Sequence, residues 1–138
     1  MEFVKFDVKQ LSSGEKKKSK YGNKKTFVEG IEKPFDSKDE ANFYLFLKNI
    51  CKYSVDQLIL QPKFELQPKY IDNEDKKIKE IIYVADFQID NYVIDVKGFE
   101  TKDFIIKRKI FKYKYPDLIL LVGTSKELQP LFWDIKNK

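Results

Sequence analysis

The architecture of the chain depends on the stretch Ile81-Ile82-Tyr83-Val84-Ala85-Asp86-Phe87-Gln88-Ile89-Asp90-Asn91-Tyr92-Val93-Ile94-Asp95-Val96-Lys97-Gly98. Both of its halves are rich in β-branched and aromatic residues, which favour strands. Asp90-Asn91 lies between them, and these two residue types tolerate the positive φ angles of a two-residue hairpin loop. We therefore expect two antiparallel strands in which the numbers of opposing residues sum to 181.

This register brings charged side chains together. Asp86 should face Asp95 directly and Val84 should face Lys97, with opposing Cβ atoms about 4.5–5.5 Å apart. Asp95 and Lys97 are two residues apart on one strand, so their side chains share a face. The sequence therefore predicts two carboxylates and an ammonium group clustered on one face of a largely apolar hairpin.

Two carboxylates that oppose each other across a sheet repel, so the pair needs a stabilising partner. A divalent cation between them would supply one, because Mg²⁺ is usually held by one or two carboxylates together with water and substrate phosphate. The alternative is that one aspartate is solvated on an open face while Lys97 neutralises the other. The spacing alone favours neither interpretation.

The order of these residues resembles a known motif. Asp86, followed nine residues later by Asp95-Val96-Lys97, resembles the PD-(D/E)XK nuclease superfamily, whose motif is an acid, a short gap, and acid-x-Lys on paired strands. The wider pattern resembles a family of small phage-encoded endonucleases of this superfamily, related to Holliday-junction resolvases. In this chain, Ala85 stands where the motif has proline. The likeness runs over roughly residues 20–122 and includes Tyr21–Lys25, Phe35–Ala41, Tyr44, Leu47, Gln61–Leu66, Tyr83–Phe87, Asp95–Gly98 and Thr101.

The resemblance implies a fold and a chemistry. The fold is an α/β restriction-endonuclease-like core with a mixed β-sheet flanked by helices, which also suits the predicted order of helix, strand, hairpin, helix and strand. The chemistry is metal-dependent hydrolysis of DNA phosphodiester bonds. Its implied catalytic residues are Glu40, Asp86, Asp95 and Lys97, and its implied ligands of one or two Mg²⁺ or Mn²⁺ ions are the three acids and the Val96 carbonyl.

Glu40 has two interpretations. Ser37-x-x-Glu40 matches a capping box at the start of a helix that we expect from Lys38 to about Lys52. In that case the Glu40 carboxylate only completes the helix cap. The family resemblance favours the other interpretation, in which Glu40 is the first acid of the site and projects toward the hairpin.

Composition narrows the chemistry further. The chain of 138 residues has no histidine and a single cysteine, Cys51, which excludes Ser-His and Cys-His nucleophiles and the usual zinc sites. Any metal must therefore be a hard cation on oxygen ligands. The single cysteine excludes an internal disulfide framework and suits the cytoplasm, which would be the host cytoplasm for a phage-encoded chain. No apolar run approaches the roughly 20 residues of a membrane span, so we expect no membrane partner.

The net charge of +5 is concentrated in two places, residues 15–25 and residues 99–116. We expect residues 1–34 to form a basic arm with short strands, and residues 35–138 to form the nuclease core. A basic helix at 102–115 could follow a phosphate backbone; the alternative for both zones is a solvated charged surface. The candidate DNA-binding residues are Lys16, Lys17, Lys18, Lys20, Lys24, Lys25, Lys107, Arg108, Lys109 and Lys112.

The remaining segments complete the expected fold. Residues 58–70 read as an extended edge segment interrupted by Pro62 and Pro68, and residues 70–80 as a solvated loop. Residues 117–123 form an apolar run that we expect at the sheet centre, parallel to the strand that ends at Lys97. The tail from Leu128 to Ile135 could pack on the core or on a second subunit.

The resemblance implies branched DNA, such as Holliday junctions in phage replication or recombination, as substrate. Because a four-way junction needs paired incisions, it also implies a homodimer, with the N-terminal arm or the tail around Trp133 as candidate interfaces. Two alternatives stay open. One is a sequence-specific restriction-type endonuclease, and the other is a non-catalytic DNA-binding protein on a nuclease-like scaffold.

Overall fold

The computed structural model describes residues 25–28, 30–31 and 34–137. A π-helical turn (Phe46–Ile50) continues the first helix, and a 3₁₀ turn (Val55–Gln57) precedes the first strand. The helices and strands follow in the order α1 (Lys38–Leu45), β1 (Ile59–Leu60), β2 (Lys63–Gln67), β3 (Tyr70–Ile71), β4 (Lys77–Ile78), β5 (Ile81–Val84), β6 (Phe87–Ile89), β7 (Tyr92–Val96), α2 (Lys102–Lys114), β8 (Ile119–Gly123) and α3 (Ser125–Lys136).

The central sheet is mixed and has the strand order β1-β6-β7-β8. β1, β6 and β7 are antiparallel, and β8 returns parallel to β7 after the helix α2. The expected mixed α/β fold with flanking helices is confirmed, and so is the parallel pairing of β7 with β8. The expected central position of residues 117–123 is wrong, because β8 lies at the edge of the sheet and Ile119 is 43% exposed.

The predicted hairpin register is confirmed within the strands. Phe87 pairs with Ile94 and Ile89 pairs with Tyr92, so the paired numbers sum to 181. Asp90 has a φ of 52° and supplies the left-handed conformation that the tight loop requires.

The hairpin pairing of β6 with β7 does not extend back to Val84. The predicted pairing of Val84 with Lys97 is therefore wrong. Val84 pairs with Lys63 instead, in a separate two-stranded sheet of β2 and β5. The Ala85 amide donates to the Pro62 carbonyl at 3.1 Å, so the chain follows β2 up to this residue and crosses into the central sheet only at the next. The Lys97 amide donates to the Gly123 carbonyl at 2.8 Å, which ties its backbone to β8 rather than to β5.

Two hydrophobic cores flank the central sheet. The first core packs α1 and α3 against one face and includes Phe43, Phe87 and Phe132. Its members Leu128 and Phe132 belong to α3, so the C-terminal tail packs on the chain's own core. The second core packs α2 and the β2–β5 pair together and includes Phe64, Tyr83, Val93, Phe104 and Phe111.

The segment 70–80 differs from the expected loop, because β3 and β4 pair with each other as a separate two-stranded sheet. The turn between them is organised by Asp72, whose Oδ1 accepts hydrogen bonds from the amides of Glu74 (2.8 Å) and Lys76 (2.9 Å). Asp75 takes a positive φ of 59°. Carboxylate acceptors of this kind stabilise tight turns, so this charged segment forms a hairpin whose side chains remain largely exposed.

Side-chain caps define where the helices begin. The Ser37 Oγ accepts from the Glu40 amide at 3.1 Å and the Thr101 Oγ1 accepts from the Phe104 amide at 3.1 Å, so α1 and α2 begin where the sequence predicts. Helical structure continues through the π-helical turn and stops at Lys52, whose φ is 63°.

The N-terminal predictions fall mostly outside the described residues. Thr26 pairs with Phe35 in an antiparallel bridge, and residues 1–24, 29, 32 and 33 lie outside the described residues. The division at residue 34 stays a prediction. Within the described part of the chain, no helix is long and apolar enough to cross a membrane.

Candidate active site

Three carboxyl groups meet where the β6–β7 hairpin ends beside the first turn of α1. Asp86 lies close enough to both Glu40 and Asp95 for the charges of these two side chains to act on it. The Oδ2 of Asp86 also accepts from the Val96 amide at 2.7 Å, which holds the carboxyl against β7. The structure thus brings the three predicted acids together, although Asp86 itself lies just before β6.

Asp95 is buried, with 4% of its surface exposed, and one of its oxygens takes two partners. The Nζ of Lys97 lies 3.3 Å from Oδ2, as the shared strand face predicts. The hydroxyl of Tyr83 donates to the same Oδ2 at 2.5 Å. Asp95 therefore has a fixed orientation on the sheet.

The Lys97 ammonium is also placed against an aromatic ring. Its Nζ lies 3.8 Å from the centroid of the Phe104 ring, within the range of a cation–π interaction. Arg108 contacts the same ring at 5.1 Å and pairs with Glu100 at 2.7 Å. The first two turns of α2 therefore contribute directly to the surroundings of the site.

Burial and nearby negative charges raise the pKa values of Glu40 and Asp86. Burial, the Asp36 charge and, to a smaller extent, the Asp95 charge raise the pKa of Glu40 to about 7, while a backbone hydrogen bond at Asp36 opposes them. Burial, the Glu40 charge and the Asp95 charge raise the pKa of Asp86 to about 9. Near neutral pH the cluster therefore retains protons that a bound cation would displace.

Comparison with known proteins places the chain in a family. A family model described as "Protein of unknown function (DUF1064)" matches residues 18–130. The chain belongs to this family. Endonuclease Bax1 of Sulfurisphaera tokodaii is similar to it, with 32% identity over 96 residues that cover 65% of this chain and 17% of Bax1. The chain thus spans about a sixth of the length of that relative, and no solved structure matches it.

The acidic cluster of this DUF1064 protein suits a hard divalent cation in its donor chemistry. All of its side-chain donors are oxygens, and the buried Oε1 of Glu40 has no hydrogen-bond partner among the described residues. An unpaired buried carboxylate oxygen is costly unless something binds it. The described residues contain no group of three Asp, Glu, His or Cys side chains already spaced around an ion.

Glu40 combines parts of both of its interpretations. Its amide donates to the Ser37 Oγ and so completes the helix cap. Its carboxyl group reaches the Asp86 side chain. The capping geometry therefore delivers Glu40 to the site, and its role as a ligand stays a prediction.

The basic candidates in the DUF1064 chain differ in their contacts. Lys107 donates from Nζ to the Ile82 carbonyl at 3.1 Å, and Arg108 is paired with Glu100, so both side chains already have protein partners. Lys25, Lys109 and Lys112 are exposed. Lys16, Lys17, Lys18, Lys20 and Lys24 lie outside the described residues.

The sequence analysis did not identify Tyr83 and Phe104 as part of this site. One signal was available for Tyr83, because a buried tyrosine hydroxyl usually needs a hydrogen-bond partner, and Asp95 is the nearby acceptor. Phe104 gives no comparable signal, since its place beneath Lys97 depends on how α2 packs against the sheet.

Proposed function

We propose that this DUF1064 protein is a metal-dependent DNA endonuclease that hydrolyses phosphodiester bonds. The proposal is carried by one observation: Asp86 joins Glu40 and Asp95 in a buried acidic cluster, and Lys97 lies 3.3 Å from Asp95. The similarity to an endonuclease supports it. In a chain without histidine, an acid cluster beside a lysine is a suitable arrangement for moving protons near a phosphate.

Each residue has a stated role in the proposed reaction. Glu40, Asp86, Asp95 and the Val96 carbonyl would hold one or two Mg²⁺ or Mn²⁺ ions, which polarise a phosphate and lower the pKa of water. Lys97 would orient the attacking water and offset the negative charge that develops on the phosphate. Asp95, by pairing with Lys97, would keep the ammonium at the reacting centre.

The proposed substrate is branched DNA, in particular a four-way junction formed in phage replication or recombination. The exposed Lys109 and Lys112 carry positive charge on α2, which suits contact with backbone phosphates rather than base edges. Recognition by backbone contacts favours shape over sequence. Cutting a junction symmetrically needs two active sites, so the proposed working form is a homodimer.

The test is cleavage of end-labelled four-way junction, linear duplex and single-stranded DNA, each with EDTA, Mg²⁺ or Mn²⁺. We expect the wild-type protein to cut the junction fastest and only with a metal. Asp95→Asn and Lys97→Ala should each lower the single-turnover rate by about 10²–10⁴-fold. Junction binding, measured in Ca²⁺ by gel shift, should persist in both variants.

Matched controls separate chemistry from folding. Asp134→Asn and Lys126→Ala make the same kinds of change at exposed positions of α3 and should cleave as wild type does. Equal cleavage by Asp95→Asn and the wild-type protein would contradict the proposal. Preferential cutting of duplex at a defined sequence would instead support a restriction-type endonuclease.

One observation favours a second candidate function. Tyr83 and Lys97 together satisfy Oδ2 of Asp95, as they would in a purely structural ion pair. A protein that binds junction DNA but cuts none of the substrates with either metal would be a non-catalytic DNA-binding member of the family.

A further inference from the structure

Two buried aromatic side chains contact the Asp95–Lys97 ion pair, and both come from outside the acid-x-Lys segment. Tyr83 belongs to β5 and is 3% exposed, and Phe104 belongs to the first turn of α2 and is 5% exposed. Their rings are neighbours in the second core, with centroids 6.1 Å apart. The ion pair therefore rests on a preformed aromatic surface.

Tyr83 controls the orientation of Asp95. Its hydroxyl donates to Oδ2, the oxygen that also faces the Lys97 ammonium. Two donors on one oxygen limit rotation of the carboxylate about its χ angles, because a turned carboxylate would leave a buried hydroxyl without a partner.

Phe104 controls the position of Lys97. The lysine Nζ lies 3.8 Å from the centre of the ring, and the ring packs against that of Tyr83 in the second core. A flexible lysine side chain otherwise has many rotamers. With Asp95 on one side and the ring on another, the ammonium keeps a narrow range of positions.

We propose that Tyr83 and Phe104 are positioning residues of the hydrolytic site, Tyr83 acting through Asp95 and Phe104 acting through Lys97. This inference rests on the proposed function, since it assigns Asp95 to metal binding and Lys97 to the chemical step. Neither aromatic residue is expected to touch the substrate. Their contributions should therefore appear in metal affinity and turnover rather than in DNA binding.

Tyr83 is tested by Tyr83→Phe against Tyr115→Phe. The Tyr115 hydroxyl also makes one hydrogen bond, to the Glu65 carbonyl at 2.8 Å, and its ring packs on Phe111, which also contacts Tyr83. Both variants thus lose one hydroxyl and one hydrogen bond from the same core. We expect Tyr83→Phe to weaken Mn²⁺ affinity, measured by calorimetry, or kcat by about 10–100-fold, as loss of a ligand's hydrogen-bond partner commonly does.

The expected pattern distinguishes positioning from stability. KM for junction DNA should not change in Tyr83→Phe, and Tyr115→Phe should keep wild-type Mn²⁺ affinity and kcat even if both variants melt at lower temperature. Equal Mn²⁺ affinity and equal kcat in Tyr83→Phe, Tyr115→Phe and the wild type would overturn the assignment of Tyr83.

Phe104 is tested by Phe104→Leu against Phe111→Leu. Phe111 is fully buried in the same core and packs on the ring of Tyr83 at 5.4 Å, but Lys97 lies over Phe104. We expect Phe104→Leu to lower kcat by about tenfold at unchanged Mn²⁺ affinity and DNA KM, since the ring is the second anchor of the ammonium. Phe104→Tyr, which keeps the ring, should restore kcat. A kcat loss as large in Phe111→Leu, or no restoration by Phe104→Tyr, would overturn the assignment of Phe104.

The Mn²⁺ measurement separates failure of this inference from failure of the proposed function. If the wild-type protein cuts no DNA but Tyr83→Phe binds Mn²⁺ more weakly than Tyr115→Phe does, the endonuclease proposal fails and the assignment of Tyr83 holds. If the wild-type protein cuts DNA and none of the paired variants differ, only the inference fails. A wild-type protein that neither binds Mn²⁺ nor cuts DNA overturns both.

Discussion

The two cores on either side of the central sheet share a hydrophobic composition but differ in what they contact. In the first core, the rings of Phe43, Phe87 and Phe132 pack on one another and make the platform for α1 and α3. In the second core, the ring of Tyr83 carries a hydroxyl that reaches Asp95, and the ring of Phe104 lies beneath Lys97. The comparison indicates that one core mainly stabilises the fold, whereas the other also orients Asp95 and Lys97.

The largest expected effect is a loss of folding stability without a loss of turnover. Phe132→Ala empties a fully enclosed position of the first core and should lower the free energy of unfolding by about 3–5 kcal/mol. Urea denaturation measures this change. The turnover number per folded molecule, measured well below the melting temperature, should stay within about twofold of wild type. A large drop in turnover would mean that the first core also contributes to activity, so that the two cores do not differ in function.

Metal binding should give the next largest change in stability. This change should depend on the acidic cluster and not on the first core. At a free Mg²⁺ or Mn²⁺ concentration of 100 times Kd, an ion that binds only the folded protein adds about 2.7 kcal/mol of stability. The wild-type melting temperature should therefore rise, whereas that of Asp95→Asn should rise much less. Phe132→Ala, although less stable, should show the full increase because its acidic cluster is intact. An unchanged melting temperature in the wild type would remove the case for a cation site.

The pH dependence of the metal-free protein's stability should arise from the same cluster. Folding raises the pKa of Glu40 from 4.5 to about 7 and that of Asp86 from 3.8 to about 9, so the folded state binds more protons than the unfolded state in this interval. Stability should therefore fall as the pH rises from about 4 to about 9. Denaturation in EDTA across this range measures the slope.

The matched variant for this measurement is Asp86→Asn, which removes the central titrating group. Its stability should change less with pH than that of wild type, and saturating Mg²⁺ should flatten the wild-type slope because the ion replaces the protons. Stability that increases with pH in the metal-free wild type would contradict the crowding of the three acids.

The smallest expected effect concerns DNA binding by the exposed face of α2, the helix that packs on the second core. Lys109→Ala with Lys112→Ala removes two exposed charges of α2 and should weaken junction binding on the order of tenfold near 0.1 M salt. The slope of log K against log salt should fall by about 2, since each phosphate contact contributes about 0.9. Lys126→Ala on α3 is the control and should change neither quantity. An unchanged slope would mean that the exposed face of α2 does not contact DNA.

The hairpin could be predicted from sequence because its determinants are local. Asp90-Asn91 fixes the loop, and strand alternation then fixes which side chains share a face, so the contact of Asp95 with Lys97 followed directly. The starts of α1 and α2 could be predicted equally well, because the side chains of Ser37 and Thr101 cap these helices. These features depend on neighbours within a few residues.

The errors concern long-range pairing. Nothing in residues 81–86 indicates that β5 leaves β6 to pair with β2, since strand-forming residues suit either partner. The edge position of β8 could not be predicted from its sequence either. An apolar run suits a buried central strand, but it equally suits an edge strand whose two faces are covered by helices. Tyr83 belongs to β5, and this unforeseen pairing explains why its contact with Asp95 was not predicted.

The crossing of the chain from β5 into β6 has a practical consequence for engineering. Asp86 occupies this crossing and is tied at its amide to the Ile94 carbonyl, so an added or deleted residue here would turn the acid away from its neighbours whatever its chemistry. The turn between β3 and β4, at Asn73, is exposed and lies far from Asp86 in sequence. Fluorophores, affinity tags or inserted peptides are best placed at that tip, where a change of length has room to be absorbed.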